Sequence, residues 1–204
     1  MTMLIQDRDA AREILDQRRA SGNDRWDEVW DGVYILMPNP NIEHQGIATS
    51  LSAIFEVVAG WTGLGKVYQG ANVSDRADDW TQNYRCPDIA VYLAGNPAVA
   101  KGAYWLGGPD FAVEIISPDD RSREKLDFYA RVGVRELLLI DRDPWALELY
   151  QRRGTGLALV ASSRPDQPEP LAGNVIALRF TLFPGEPRPS IEVSLVDGSR
   201  RWMV

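Results

Sequence analysis

The chain has 204 residues, 45% of them apolar and 25% charged, a composition ordinary for a soluble globular protein of one domain spanning residues 1–204. A net charge of −7 argues against sequence-blind coating of nucleic acid, which depends on neutralising phosphates. No apolar run approaches the roughly 20 residues that cross a bilayer, and Cys86, the single cysteine, excludes an intrachain disulfide and a cysteine-based zinc cluster.

The charged N-terminus, with Asp7, Arg8, Asp9, Arg12, Glu13 and Asp16, is unlike a signal peptide. Together with the lone cysteine it leads to an expectation of a cytoplasmic protein. Ala10, Ile14 and Leu15 recur at helical spacing, which predicts an amphipathic helix over residues 6–20, ended by Ser21-Gly22-Asn23-Asp24. Glu28-Val29-Trp30 and Val33-Tyr34-Ile35-Leu36-Met37 flank Asp31-Gly32, a two-residue hairpin signal. Pro38-Asn39-Pro40-Asn41 breaks the second strand, and Ile47, Leu51, Ile54, Phe55 and Val58 mark a second helix over about 41–61.

Strands are predicted over about 66–73, 87–93 and 110–116, with the Gly- and Ala-rich stretch 94–109 read as a loop. Ser117-Pro118-Asp119-Asp120 has the composition of a helix start, with a Ser cap, Pro in the first turn and acids facing the positive dipole end. Gly133 is placed to end that helix in a left-handed conformation. Strands follow at 136–140 and 146–151, joined by Asp141-Arg142-Asp143-Pro144, then at 156–162, 175–183 and 190–196, with a polar, Pro-rich loop at 164–170. Strands and helices in this order argue for a mixed-sheet α/β or α+β domain.

The chemistry concentrates between Asp88 and Asp141. Asp88 opens one strand, Glu114 lies within Phe111-Ala112-Val113-Glu114-Ile115-Ile116, and Lys125 sits on the helix beyond. Alternation gives both faces of that second strand apolar neighbours, so Glu114 has no solvated side to turn to. A buried carboxylate is costly unless paired or metal-bound. Two carboxylates on neighbouring strands with one ammonium are the parts that hold a divalent metal beside a phosphate. Lys125 on its own reads as an exposed lysine; only the preceding strand turns the reading. Arg121, Arg123, Lys125, Arg131 and Arg135 form a local basic cluster over an otherwise acidic chain. Trp26, Trp30, Trp80 and Trp105 fall near turns or loops, either as partner contacts or as core.

Two other signatures fail. Gly60-Trp61-Thr62-Gly63-Leu64-Gly65-Lys66 has P-loop spacing, but Val67 replaces the Ser or Thr that holds magnesium, and a helix leads in where a strand is required. No Gly-x-Ser-x-Gly elbow supports serine hydrolysis.

Pro87-Asp88, Glu114-Ile115-Ile116-Ser117-Pro118, Lys125-x-x-x-Tyr129, Gly133-Val134-Arg135-Glu136 and Ile140-Asp141, with Glu28-Val29-Trp30-Asp31-Gly32, Pro38 and His44 upstream, together resemble the Uma-type putative restriction endonuclease family of the PD-(D/E)XK nuclease superfamily. The likeness covers about residues 8–160. It implies a restriction-endonuclease-like fold, a central mixed β-sheet flanked by helices, and a metal-dependent endonuclease acting on DNA. Asp88 and Glu114, with the backbone carbonyl of Ile115, would hold Mg²⁺ or Mn²⁺. The superfamily lysine, usually two residues after the second acid, is replaced here by Ile116, and the resemblance implies that Lys125 supplies the ammonium instead.

Arg121, Arg123 and Tyr129 are the substrate-binding candidates. Glu28 reads equally as an additional acid near the metal and as a polar residue opening a hairpin strand. His44, the only histidine, is a second-tier catalytic candidate beside the commoner reading of a hydrogen-bonded structural residue. A homodimer is expected for an enzyme cutting two strands. The rival expectations are a catalytically inactive scaffold serving as a nucleic-acid or protein interaction module, and hydrolysis of some other phosphate substrate.

Overall fold

The computed structural model describes residues 8–117 and 121–204. Helix α1 (Arg8–Ser21) ends in a turn at Gly22, and the hairpin of β1 (Glu28–Trp30) and β2 (Val33–Ile35) follows. Its Asp31-Gly32 turn has positive φ at both residues, +48° and +85°, as a twisted two-residue hairpin requires. Helix α2 (Ile42–Phe55) is capped by the Asn41 side chain, which accepts from the His44 N–H at 2.9 Å, and runs into one wide turn over Glu56–Gly60. The former P-loop candidate is the helix-to-strand turn that leads to β3 (Gly65–Gln69).

Short strands β4 (Val73–Ser74) and β5 (Tyr84–Arg85) precede β6 (Ile89–Leu93). The stretch 94–109, expected to be a loop, contains β7 (Val99–Ala100) and β8 (Trp105–Leu106). Two-residue strands are too short to show alternation, and here they form because β4 and β7 offer edges to pair with. Next come β9 (Phe111–Ile115), a single 3₁₀ turn over Ser122–Lys125, and α3 (Leu126–Val132). Of the helix start expected at Ser117–Asp120, Pro118, Asp119 and Asp120 lie outside the described residues; Lys125, expected on the helix, belongs to the 3₁₀ turn before it. The stop is as expected, with Gly133 at φ +102°.

Strands β10 (Glu136–Arg142), β11 (Trp145–Arg153) and β12 (Gly156–Ser163) follow, then β13 (Leu171–Ala172), β14 (Leu178–Phe183), β15 (Ser190–Leu195) and β16 (Arg201–Met203). The central sheet has the order β12-β11-β10-β9-β6-β3. Within that sheet β9 and β10 pair in parallel, joined by the α3 crossover, and the other neighbours are antiparallel. A second sheet runs β2-β1-β5-β4-β8-β7, and a third β13-β14-β15-β16.

All five residues of β9 are buried, and alternation sorts them between two cores. Phe111, Val113 and Ile115 join Leu138 and Ile140 beneath Ile47, Leu51 and Phe55 of α2 and Phe180 of the third sheet. Ala112 and Ile116 join Leu137 and Leu139 beneath Phe128 and Tyr129 of α3. Glu114 shares the parity of this second set and therefore points toward α3, into a layer otherwise built from apolar side chains.

Candidate metal and phosphate site

The site lies where the chain passes from the second sheet to the central one. Strand β5 pairs with β1 and β4, and only Cys86, Pro87 and Asp88 separate it from β6. Register places Asp88 opposite Glu114, one step past the last β6–β9 pair, Ile89 with Val113. Pro87 has no N–H to continue the ladder. The Asp88 carboxylate takes its place: Oδ2 accepts the Ile115 N–H at 2.7 Å, and Oδ1 stands 3.2 Å from His44 Nε2. The Asn41 cap sets the first turn of α2 and so aims His44 at Asp88. Buried His44 Nδ1 has no hydrogen-bond partner among the described residues.

Lys125 is 1% exposed, so it is not the solvated lysine that its sequence neighbours alone suggest. Its Nζ lies 2.8 Å from Glu28 Oε1 and 3.0 and 3.1 Å from the two Glu114 oxygens. Glu28, also 1% exposed, accepts the Cys86 N–H at 2.8 Å through Oε1 and the Trp30 indole N–H at 2.7 Å through Oε2. Glu114 accepts the Tyr129 hydroxyl and has Ser122 Oγ at 3.5 Å. The cluster is a buried ammonium between two carboxylates, each further held by neutral donors. Burial, and next the Glu114 charge, hold the Tyr129 hydroxyl well above its ordinary pKa, and burial likewise pushes the Cys86 thiol up. Tyr129 stays a donor, and Cys86 stays a thiol rather than a nucleophile.

Asp88, Glu114, Ile115, Lys125, His44 and Cys86 line one pocket together with Trp26, Met37, Pro38 and Pro40. Hard divalent cations take oxygen donors, and Mg²⁺ in particular is often bound through one or two carboxylates while water completes its shell. Asp88 and Glu114 fit that donor chemistry. No group of three or more His, Cys, Asp or Glu side chains gathers for a metal among the described residues.

The structure thus brings Asp88, Glu114, Ile115, Lys125, Glu28 and His44 together. Tyr129, expected at a substrate surface, is fully buried as a donor to Glu114, because its face of α3 packs on the sheet. The arginines do not form a free basic face. Arg121 pairs with Glu124, Arg123 with Asp141 and Glu148 at 2.9 and 2.8 Å, Arg131 with Asp75 at 3.1 Å and Arg135 with Asp110 at 3.3 Å. Hydrogen bonding to Glu148 raises the Arg123 pKa further, and Arg121 lowers that of Glu124. Trp80 and Trp105 are occupied in stacks with Tyr104 and Tyr92, and Trp30 carries the Arg85 and Arg121 guanidinium groups near its ring.

Sequence reasoning passed over Arg142. Its guanidinium reaches the Ile116 carbonyl, Ser117 Oγ, Asn41 Oδ1 and Glu43 Oε2 at 2.9–3.2 Å, tying the end of β9 to the start of α2. Its sequence setting, read as a strand-joining turn though the residue ends β10, carried no local sign of that role. The Trp30 indole and the Cys86 N–H, which fix Glu28, were equally silent.

The architecture is α/β with mixed sheets and the restriction-endonuclease-like fold. A solved crystal structure of a putative nuclease belonging to DUF820 from Anabaena variabilis ATCC 29413 matches with a TM-score of 0.56 at 20% identity, over 71% of this chain and 80% of that one. The Uma2 family model, described as a putative restriction endonuclease, matches residues 14–182, so the chain belongs to that family. No curated protein matches the chain. Among the described residues no helix is long and apolar enough to cross a membrane.

Proposed function

We propose that the chain is a single-domain, metal-dependent endonuclease hydrolysing phosphodiester bonds in DNA. The observation that carries the reading is the convergence of Asp88, Glu114 and Lys125 on one pocket at the junction of two sheets. Asp88 and Glu114, with the Ile115 carbonyl, would hold Mg²⁺ or Mn²⁺, which when bound supplies charge neutralisation at the phosphate and acidifies a water. Glu28 fixes the Lys125 ammonium, which offsets negative charge growing on the phosphate. His44 orients Asp88. Arg121 and Arg123 would contact substrate once phosphate displaces their acidic partners Glu124, Asp141 and Glu148.

A cytoplasmic homodimer would place two such sites on opposite strands. Purified protein with Mn²⁺ should nick supercoiled plasmid, and Glu114→Gln should not; equal nicking by both refutes the assignment. The pairing of the arginines with carboxylates favours one rival, a non-catalytic scaffold that binds nucleic acid or protein. Calorimetry decides between them: no heat of Mn²⁺ binding at millimolar ion supports the scaffold.

A further inference from the structure

We propose that the mouth of the acid pocket is a platform for one unpaired nucleotide, its base stacked on Trp26 and the adjoining phosphate met by Arg25. The preferred substrate is then single-stranded or locally unpaired DNA rather than an intact duplex. The inference deepens the phosphodiesterase reading of the pocket and rests on it.

The pocket lining is chemically mixed. Beside the acids and Lys125 it includes the apolar side chains of Trp26, Met37, Pro38 and Pro40. Trp26 is partly exposed, and the Arg25 guanidinium lies over its ring at 4.9 Å. Arg25 is exposed and makes no ion pair among the described residues, unlike Arg121, Arg123, Arg131 and Arg135. A cation beside an aromatic side chain that lines a pocket supplies the elements that hold a base and its phosphate without reading sequence.

Gly70 fixes the spacing between Trp26 and the acids. A Cβ there would fall 2.2 Å from Trp26 Cζ3, so the indole edge sits directly on the Gly70 backbone. The Gly70 N–H donates to the Asp88 carbonyl at 3.2 Å. Trp26 and Asp88 therefore share one seat, and a base on the indole keeps its own phosphate near the acids. Within a duplex each base face is covered by its neighbours, and reaching the indole would require unstacking. Duplex DNA also carries one charge per roughly 1.7 Å of axis, a density that suits poorly a chain of net charge −7 whose arginines around α3 are already paired.

The test is fluorescence anisotropy on full-length Glu114→Gln protein, with a labelled oligonucleotide presented alone or annealed to its complement. The single strand should bind more tightly. Adding Trp26→Ala should weaken single-strand binding roughly 5- to 150-fold, the range of base–aromatic stacking, and leave duplex binding unchanged. Trp26→Phe should retain most of the affinity. Arg25→Ala, at an exposed position, should flatten the dependence of log Kd on log salt by about 0.7 for the single strand, one phosphate contact.

Equal affinity for the two DNA forms, or single-strand binding indifferent to Trp26, overturns the platform whether or not the protein cuts DNA. If Trp26→Ala fails to fold, an unchanged salt slope in Arg25→Ala overturns it instead. Trp26-dependent binding without cleavage by the parent protein upholds the platform and overturns the nuclease reading.

Discussion

Replacing Lys125 with Met should cost far more stability than replacing either of its carboxylate partners with the matching amide. The side chains of Lys125, Glu28 and Glu114 are 1%, 1% and 4% exposed, so water screens none of their charges effectively. With both acids ionised the three groups sum to −1. Glu114→Gln or Glu28→Gln leaves a neutral pair, whereas Lys125→Met leaves two buried negative charges facing each other. Breaking a buried pair by removing one partner costs about 3–5 kcal/mol. The lower part of that range applies, because the Cys86 N–H, the Trp30 indole and the Tyr129 hydroxyl still serve the acids. For a chain of this size a loss of about 3–4 kcal/mol corresponds to a fall in Tm of roughly 6–16 °C. Urea unfolding of the three single variants, with Lys125→Met/Glu28→Gln to measure coupling, gives the comparison. Combining the two should recover part of the loss, since one negative charge has gone. Equal destabilisation by Lys125→Met and Glu114→Gln, or a loss under about 1 kcal/mol for Lys125→Met, would show that the ammonium is solvated like a surface pair.

Stability should fall in alkali. Burial raises the Cys86 thiol above its ordinary 9.0 and the Tyr84, Tyr92 and Tyr129 hydroxyls above 10.0, so the stabilisation is fully present below those values and is lost as pH rises beyond them, when only the unfolded chain releases protons. Tyr129→Phe should flatten the loss above pH 10 by about 1.4 kcal/mol per pH unit, read from urea unfolding at several pH values. Arg142→Ala should cost about 1–3 kcal/mol and raise amide hydrogen exchange at both Asn41–His44 and Ile116–Ser117, since one guanidinium bonds both segments. Gly70→Ala places a side chain at φ +58° and against the Trp26 ring, so it should cost at least about 1 kcal/mol and displace the indole, seen as a change in near-UV circular dichroism.

What the sequence disclosed was local. The Asp31-Gly32 turn, the Gly133 stop and the doubly apolar β9 each follow from a few adjacent residues, and each is observed. The burial of Glu114 was legible for the same reason, because alternation alone left it no wet face. Beyond its β1–β2 hairpin, the second sheet was not legible. Its other four strands are two residues long, too short to carry a period, and they pair only with one another and with β1. Glu28 meets Lys125 across 97 positions, and nothing near either residue advertises the other. The arginine cluster misled, since charge counted along the chain ignores the acids that folding brings alongside.

The source of the ammonium illustrates how position in space outranks position in sequence. A lysine at 116 would lie on the strand of Glu114 and on the same face, two residues along. That place is taken by Ile116, which packs with Phe128 and Tyr129 and holds α3 against the sheet. The 3₁₀ turn ahead of α3 then delivers Lys125 to the same carboxylate from the opposite side, within 3.1 Å. Delivery from the turn has a consequence that delivery from the strand would lack: the ammonium also reaches Glu28, on a different sheet. The lysine therefore joins the two sheets as well as serving the acid. Glu28, in turn held by the Cys86 N–H two residues before Asp88, couples that junction to the other carboxylate of the pocket. A shift in the second sheet would move Glu28, and with it both the ammonium and the approach to Asp88.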